Sequence, residues 1–253
     1  MQCAIIIPAR YASSRLRGKP LLRETGKYMI QHVYEQALQS QIASQVIIAT
    51  DDSRIQAACA RFKAPCFMTS KKHPSGTDRV AEVASQLNCA LVLNLQGDEP
   101  LANPQAIDLL FRQLLDHPES SMATLATPIR NNEEFHNSNC VKVVHDSQGR
   151  ALYFSRSPIP YCRDGQPDFS PRPSPYLLHL GMYAYRKEFL LKLAEIPVHP
   201  LENIEKLEQL RVLASGQDIR LGIVEERTLG VDTYEDYQRF VQLQRRKSRD
   251  CAA

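Results

Sequence analysis

Four apolar runs in the first 95 residues limit the possible folds more than any other feature of this chain. They are CAIII (3–7), QVIIAT (45–50), PCFM (65–68) and ALVLNL (90–95), and they are continuous, not alternating. A strand that is apolar at successive positions is buried on both faces, as in a mostly parallel sheet covered by helices. The intervening stretches read as those helices. In YMIQHVYEQALQS, Met29, Ile30, Val33, Tyr34, Ala37 and Leu38 recur at helical spacing and mark one apolar face. Helices are also predicted over 53–62, 78–88 and 104–115, the last with Asn103 as cap and Pro104 at its first position. The class is α/β, and ligands of such sheets bind beyond the carboxyl ends of the strands.

The pattern changes after about residue 125. VKVVHDSQGRALYFS predicts two strands around a polar turn from Asp146 to Arg150. The segment 157–175 holds six prolines and predicts a loop or extended excursion. LLHLGMYAYR (177–186) alternates like a strand; helices are expected over 187–195, 202–215 and 233–247, and a strand over 219–224. No internal repeat and no clean linker occur, which favours one main domain with an insertion in its second half.

Seven cysteines, at 3, 59, 66, 89, 140, 162 and 251, make an odd set without a Cys-x-x-Cys pair. A disulfide framework or zinc site is not expected, and Cys3, Cys66, Cys89 and Cys140 read as small core residues. A net charge of +3 gives no ground for nucleic-acid binding. No apolar run reaches the roughly 18 residues of a membrane span. The opening MQCAIIIPARYASSR lacks a basic leader and reads as a buried strand, so a cytoplasmic protein without membrane insertion is expected.

The residues with chemical potential follow the apolar runs. PARYASSRLRGKPL (8–21) carries Arg10, Arg15, Arg17 and Lys19, with Gly18 before the lysine. Several cations and exposed backbone N–H groups suit a triphosphate, and equally a solvated basic loop. The segment is not a Walker loop, because Ser13 and Pro20 occupy its required Gly and Ser/Thr positions. HPSGTDR (73–79) offers small residues before a helix capped by Thr77 or Asp78; a base or ribose would fit, and so would an ordinary cap. LQGDEP (95–100) places Asp98 and Glu99 after a buried strand, as hard-metal sites do, while Gln96 has a donor and an acceptor for a base edge. A polar turn reads equally well. In GVDTYED (230–236), Asp232 is either a cap for the last helix or a second carboxylate ligand. Arg156, His179 and LEQLR (207–211) are polar groups in strand-like or amphipathic contexts, and His179 also fits a satisfied core histidine. Neither a Ser-His-Asp order nor a nucleophile elbow stands out, so metal-assisted nucleotidyl transfer is favoured over covalent catalysis.

PARYASSRLRGKPL, ATDD (49–52), SGTDR, LQGDEP, YFSRSPIPY (153–161), HLGMYAYR, LEQLR and GVDT follow one another from residue 8 to 233. In that order they resemble the successive motifs of the 3-deoxy-manno-octulosonate (Kdo) cytidylyltransferases. The resemblance implies a nucleotide-diphospho-sugar transferase fold, the substrates CTP and Kdo, the cofactor Mg²⁺, a homodimer, and a product used in lipopolysaccharide synthesis. It implies that residues 1–125 mainly bind nucleotide, 126–230 mainly bind sugar and carry the dimer excursion, and 231–253 form a C-terminal helix and tail.

By motif, the resemblance implies that Arg10, Arg15 and Lys19 hold the triphosphate. Ser75, Gly76 and Gln96 would lie at the cytosine and ribose, with Arg79 also on the nucleotide side. Asp98 and Asp232 would hold Mg²⁺ and, with Lys19, form the catalytic set. Arg156, His179, Glu208 and Gln209 would hold the sugar acid. One position departs from the motif: Arg17 stands where proline is usual, which removes a rigid φ and adds a cation. Rival expectations are another acidic sugar as acceptor, a nucleotide-binding module without turnover, and a glycosyltransferase, the last disfavoured by the lack of an Asp-x-Asp run after a strand.

Overall fold

The computed structural model describes residues 2–12, 16–193, 195–228 and 230–250, with side chains through Arg246. The chain divides into two units, one running to Asp108 and resuming at Thr228, the other spanning Leu109–Arg227.

The first unit opens with β1 (Cys3–Ala9), buried at every position. Then come α1 (Met29–Ala37), β2 (Gln45–Thr50), α2 (Ser53–Arg61), β3 (Cys66–Met68), α3 (Gly76–Ser85) and β4 (Leu91–Asn94). β1 pairs in parallel with β2 and with β4, and β2 with β3, giving the order β3-β2-β1-β4. The continuous apolar runs are therefore parallel strands as predicted, buried in β1, β2 and β4, whereas β3, at the end of the strand order, is only partly buried and leaves Met68 exposed. α1 buries Met29, Ile30, Val33 and Ala37 of the face read from its spacing, while Tyr34 is only partly buried and Leu38, just past the helix, is exposed. Each such side chain taken fully out of water contributes about 1.5–3 kcal/mol, less for alanine.

α4 (Pro104–Asp116) begins as predicted, with the Asn103 side chain accepting from Gln105 N at 2.8 Å. In the second unit follow β5 (Met122–Pro128), α5 (Asn132–His136), β6 (Lys142–His145), β7 (Ala151–Ser155), β8 (Leu177–Arg186), α6 (Lys187–Leu193), α7 (Pro200–Glu205), α8 (Gln209–Ala214) and β9 (Ile219–Ile223). β5 lies between antiparallel β8 and parallel β9, and β6 pairs antiparallel with β7 and β8. The segment 157–175 forms neither helix nor strand. Ile129, Phe135, Tyr176 and Leu178 build a local core here. The chain then returns to the first unit as α9 (Tyr234–Asp250), whose Tyr237, Phe240 and Val241 pack with Met29 and Val231.

Several expectations are corrected. β5 and α5 were not predicted. The single helix expected over 202–215 is two, parted at Lys206, which adopts φ 54°. α3 is capped by Ser75, not by Thr77 or Asp78. Of the cysteines assigned to the core, Cys3 is buried, whereas Cys66, Cys89 and Cys140 are only partly so. Among the described residues, no helix is long and apolar enough to cross a membrane.

Candidate active site

At the carboxyl ends of β1 and β4 the first unit has an open cavity of about 320 Å³, lined by Arg10, Lys19, Gly76, Gln96, Gly97, Asp98 and Asp232 among others. Six of these seven were singled out in the sequence as site residues.

Lys19 is at the centre of the cavity's charge. Gly18 takes φ +71°, and a Cβ there would lie 3.2 Å from the Tyr11 ring, so a glycine is needed to turn the chain into a short 3₁₀ segment, Lys19–Leu21. The Lys19 side chain is nearly buried, and its Nζ donates to Asp98 Oδ2 at 2.8 Å, Val231 O at 2.7 Å and Asp232 Oδ1 at 3.4 Å. One ammonium thus holds two carboxylates together. Asp98 and Asp232 keep side-chain exposures of 34% and 49%.

Asp232 is not the cap of α9. Thr233 Oγ1 accepts from Asp236 N at 3.2 Å, and Asp236 Oδ2 accepts from Thr233 N at 3.0 Å. That reciprocal cap leaves the Asp232 carboxylate facing Lys19. The strand-end loops are locked by Val231 N donating to Asp98 O at 2.8 Å and by Thr228 Oγ1 donating to Glu99 Oε2 at 2.9 Å. Burial, with Asp98 and Asp232 nearby, pushes the Glu99 carboxyl up to about 7. Glu99 therefore braces the loop instead of facing the cavity as a free anion.

Arg10 Nη2 donates to His73 O at 3.3 Å. Ser75 is committed to the α3 cap: its Oγ accepts from Asp78 N at 3.1 Å, and its N donates to Asp78 Oδ2 at 3.1 Å. Its neighbour Gly76 lines the cavity, which opens the N-terminus of α3 to a ligand. Gln96 Nε2 donates to Asn94 Oδ1 at 3.3 Å. Arg15 lies outside the described residues. Arg17 is exposed, its guanidinium 5.9 Å from the centre of the Tyr11 ring. That ring also receives Arg54 at 3.3 Å, so the loop carries two cations on one aromatic.

Arg79 needs correction. It is 0% exposed, with Nη2 on Asp51 Oδ2 at 2.8 Å and Nη1 on Thr69 Oγ1. A group so enclosed cannot touch a nucleotide directly; it ties α3 to the ends of β2 and β3. Gly97 was missed, although it stands inside LQGDEP. A Cβ there would lie 2.7 Å from Pro8 O, so only glycine lets these two strand ends approach.

The four proposed sugar residues belong to the second unit. β8 carries His179, at 4.9 Å from Phe154 and 5.5 Å from Tyr183 between ring centres. β5 and β8 shift register between Thr124 and Leu125, and Thr124 Oγ1 fills the irregularity. Its single hydroxyl hydrogen goes to Met182 O (2.9 Å) or Leu180 O (3.1 Å). His179 Nε2, 3.0 Å away, is then the donor to Thr124 Oγ1, which fixes its tautomer. Desolvation pushes the His179 imidazole down to about 3. The Tyr183 hydroxyl pKa is raised by burial and, less, by the charge of Glu208. Gln209 is 3% exposed, and its Nε2 has no partner among the described residues. A buried amide left so is a natural donor to a ligand hydroxyl. Arg156 donates from Nε to Glu205 O at 2.7 Å and from Nη1 to Ser138 O at 2.9 Å.

Comparison with known proteins agrees with this chemistry. Residues 4–219 match the family described as Cytidylyltransferase. The chain is 48% identical over 242 residues to the 3-deoxy-manno-octulosonate cytidylyltransferase of Syntrophotalea carbinolica, spanning 94% of this chain and 97% of that one. It is 50% identical over 247 residues to the protein of the same name from Cellvibrio japonicus, spanning 94% and 96%. A solved structure of a CMP:2-keto-3-deoxy-manno-octonic acid synthetase complexed with CTP superimposes with a TM-score of 0.91 at 42% identity, over 98% of this chain and all of that one. A cation-lined cavity at the parallel strand ends, full-length identity near one half and a shared fold lead to one assignment: the chain belongs to the family of 3-deoxy-manno-octulosonate cytidylyltransferases.

Proposed function

We propose that this enzyme transfers CMP from CTP to the anomeric hydroxyl of Kdo, releasing pyrophosphate and activating the sugar for lipopolysaccharide synthesis. The observation that carries the reading is Lys19 holding Asp98 and Asp232 together in the strand-end cavity.

The chemistry brings two anions together, the sugar carboxylate and the α-phosphate, so the protein must offset their repulsion and align the reactants. The sugar oxygen forms a bond to the α-phosphorus as the bond from that phosphorus to the bridging oxygen of the β-phosphate breaks; pyrophosphate leaves with that oxygen, and the hydroxyl proton passes to solvent water. No side-chain nucleophile is required. Arg10, Arg15 and Lys19 would bind the triphosphate and stabilise charge growing on the departing pyrophosphate. Gly76 and Gln96 would receive the nucleoside, with Ser75 fixing the turn that presents them. Arg156 would take the sugar carboxylate, and His179, Glu208 and Gln209 its hydroxyls.

The donor set fits Mg²⁺. Two carboxylates face one cavity, and no cluster of three or more His, Cys, Asp or Glu suited to a metal occurs among the described residues. Mg²⁺ is commonly held in this way, by one or two carboxylates completed by substrate phosphates and water. Asp98 and Asp232 would hold the ion, which when bound neutralises phosphate charge and lowers the pKa of the attacking hydroxyl. The reading includes a cytoplasmic homodimer. The exposed apolar side chains Leu152, Tyr161 and Ile204 of the second unit support a second copy as partner, which sedimentation velocity tests.

The deciding assay is pyrophosphate release from the purified protein with Mg²⁺ and CTP, with and without Kdo. Kdo-dependent release abolished by EDTA is expected. CTP binding without release would leave a nucleotide-binding protein and overturn the transferase reading.

A further inference from the structure

Lys142 is a charged residue with 0% exposure that stands outside the motifs. Its ammonium has three hydrogens and meets three carbonyls: Asn137 O at 3.0 Å, Cys140 O at 2.6 Å and Arg156 O at 2.6 Å. Burying an ion this completely is costly, and an apolar side chain would fill the space more cheaply, so stability alone is a poor reason for it.

The three carbonyls point to another reason. One belongs to Arg156 itself. The other two, Asn137 and Cys140, flank Ser138, whose carbonyl receives Arg156 Nη1 at 2.9 Å. Lys142 therefore acts on Arg156 by two routes, through its backbone and through the turn that meets its guanidinium. Glu205 closes the arrangement. Its carboxylate accepts from Arg156 N at 2.9 Å and Ser155 Oγ at 2.6 Å, and its carbonyl accepts from Arg156 Nε at 2.7 Å. Nη2 has no partner among the described residues. With Nε occupied, the side-on fork made by Nε and Nη2 is closed to a ligand, and an incoming carboxylate must be taken end-on, at Nη2.

We propose that Lys142 and Glu205 are positioning residues that hold Arg156 with its Nη2 end presented to the carboxylate of the sugar acid. This rests on the reading of Arg156 as the group that binds that carboxylate. The buried pair sets the direction of approach; neither member touches the substrate.

The test measures KM for Kdo and for CTP by pyrophosphate release in Lys142→Met, Glu205→Gln and Arg156→Ala, each alone and in pairs with Arg156→Ala. Lys142→Met is expected to raise the Kdo KM about tenfold, the scale of one weakened charge-assisted hydrogen bond, while the CTP KM changes less than about twofold. On the Arg156→Ala background, Lys142→Met and Glu205→Gln are expected to add nothing further to the Kdo KM. Equal rises in both KM values, or effects fully additive with Arg156→Ala, would overturn the proposal, since a merely structural role would give that pattern. If Lys142→Met does not fold, Glu205→Gln gives the same readout. If Arg156→Ala itself leaves the Kdo KM unchanged, the carboxylate reading of Arg156 has failed, and the proposal falls with it; an effect of Arg156→Ala without one from Lys142→Met or Glu205→Gln refutes the positioning role alone.

Discussion

The Lys19 ammonium stands 2.8 Å from the Asp98 carboxylate, with Asp232 at 3.4 Å on the same nitrogen. Three segments distant in sequence converge on one charge. Replacing Lys19 by Met would leave two carboxylates side by side without their cation and remove a positive group from the triphosphate site. Turnover is expected to fall by at least about 100-fold, measured as pyrophosphate release at saturating CTP and Kdo. Asp98→Asn should have a similar effect with the fold retained by circular dichroism. Near-normal turnover in either variant would remove that residue from the catalytic set.

Gly97 and Gly76 line the same cavity but differ in what a Cβ would meet. At Gly97 it would lie 2.7 Å from Pro8 O, a backbone atom that cannot swing aside. At Gly76 it would meet only the Pro8 ring, at 3.6 Å from Cγ and 3.8 Å from Cβ, both ordinary contacts. Gly97→Ala is therefore expected to cost about 1–3 kcal/mol in urea unfolding and to weaken CTP binding by calorimetry. Gly76→Ala should leave stability nearly unchanged. Equal stability losses in the two variants would contradict this account of the strand ends.

Arg79 separates a structural role from a nucleotide role. Its guanidinium is fully buried on Asp51 and Thr69. Arg79→Met would strip the Asp51 carboxylate of its partner, and because Asp51 keeps 21% side-chain exposure the loss is expected at about 1–3 kcal/mol, below that of a fully buried pair. The urea midpoint should drop, while the CTP affinity of the folded protein stays close to that of the parent. Lost CTP affinity at unchanged stability would restore Arg79 to the nucleotide side.

The order in which these features become visible has a physical basis. β1, β2 and β4 are legible because strands buried on both faces must be apolar at successive positions. β5, MATLATP, is buried at all seven positions yet was missed. Thr124 and Thr127 interrupt its apolar run, and the hydroxyl of Thr124 has its partners in β8, about 55 residues later. The break at Lys206 carries no Gly, Asn or Pro signal; Glu202 and Arg211, paired at 2.5–2.7 Å, span it. Asp98 and Asp232 could be named as candidates from their strand-end and helix-start contexts. That one lysine joins them, and that Thr233 relieves Asp232 of capping, follows only from the folded chain. Arg79 was misjudged for the same reason, because burial of a cation cannot be read from a motif.

His179 gives the last prediction, through pH. Its imidazole donates to Thr124, and desolvation pushes its pKa to about 3, below the ordinary 6.5. Above pH 6.5 the ring is neutral in both folded and unfolded chains, and the fold has its full stability. As the pH drops below 6.5 the unfolded chain takes up a proton that the folded chain resists down to about 3, so stability is lost across that window. His32, pushed down by its own burial, adds to the loss in the same direction. Glu99, held at about 7 in the folded chain, takes up its proton in the same range and works in the opposite direction, so the His179 contribution is read as a difference between parent and variant. In urea unfolding between pH 7.5 and 5, His179→Gln should lose less stability toward the acid end than the parent does. Identical slopes in parent and variant would mean that His179 is as readily protonated in the folded state as in the unfolded one. The Thr124 hydrogen bond and the burial around the ring would then not hold the imidazole neutral.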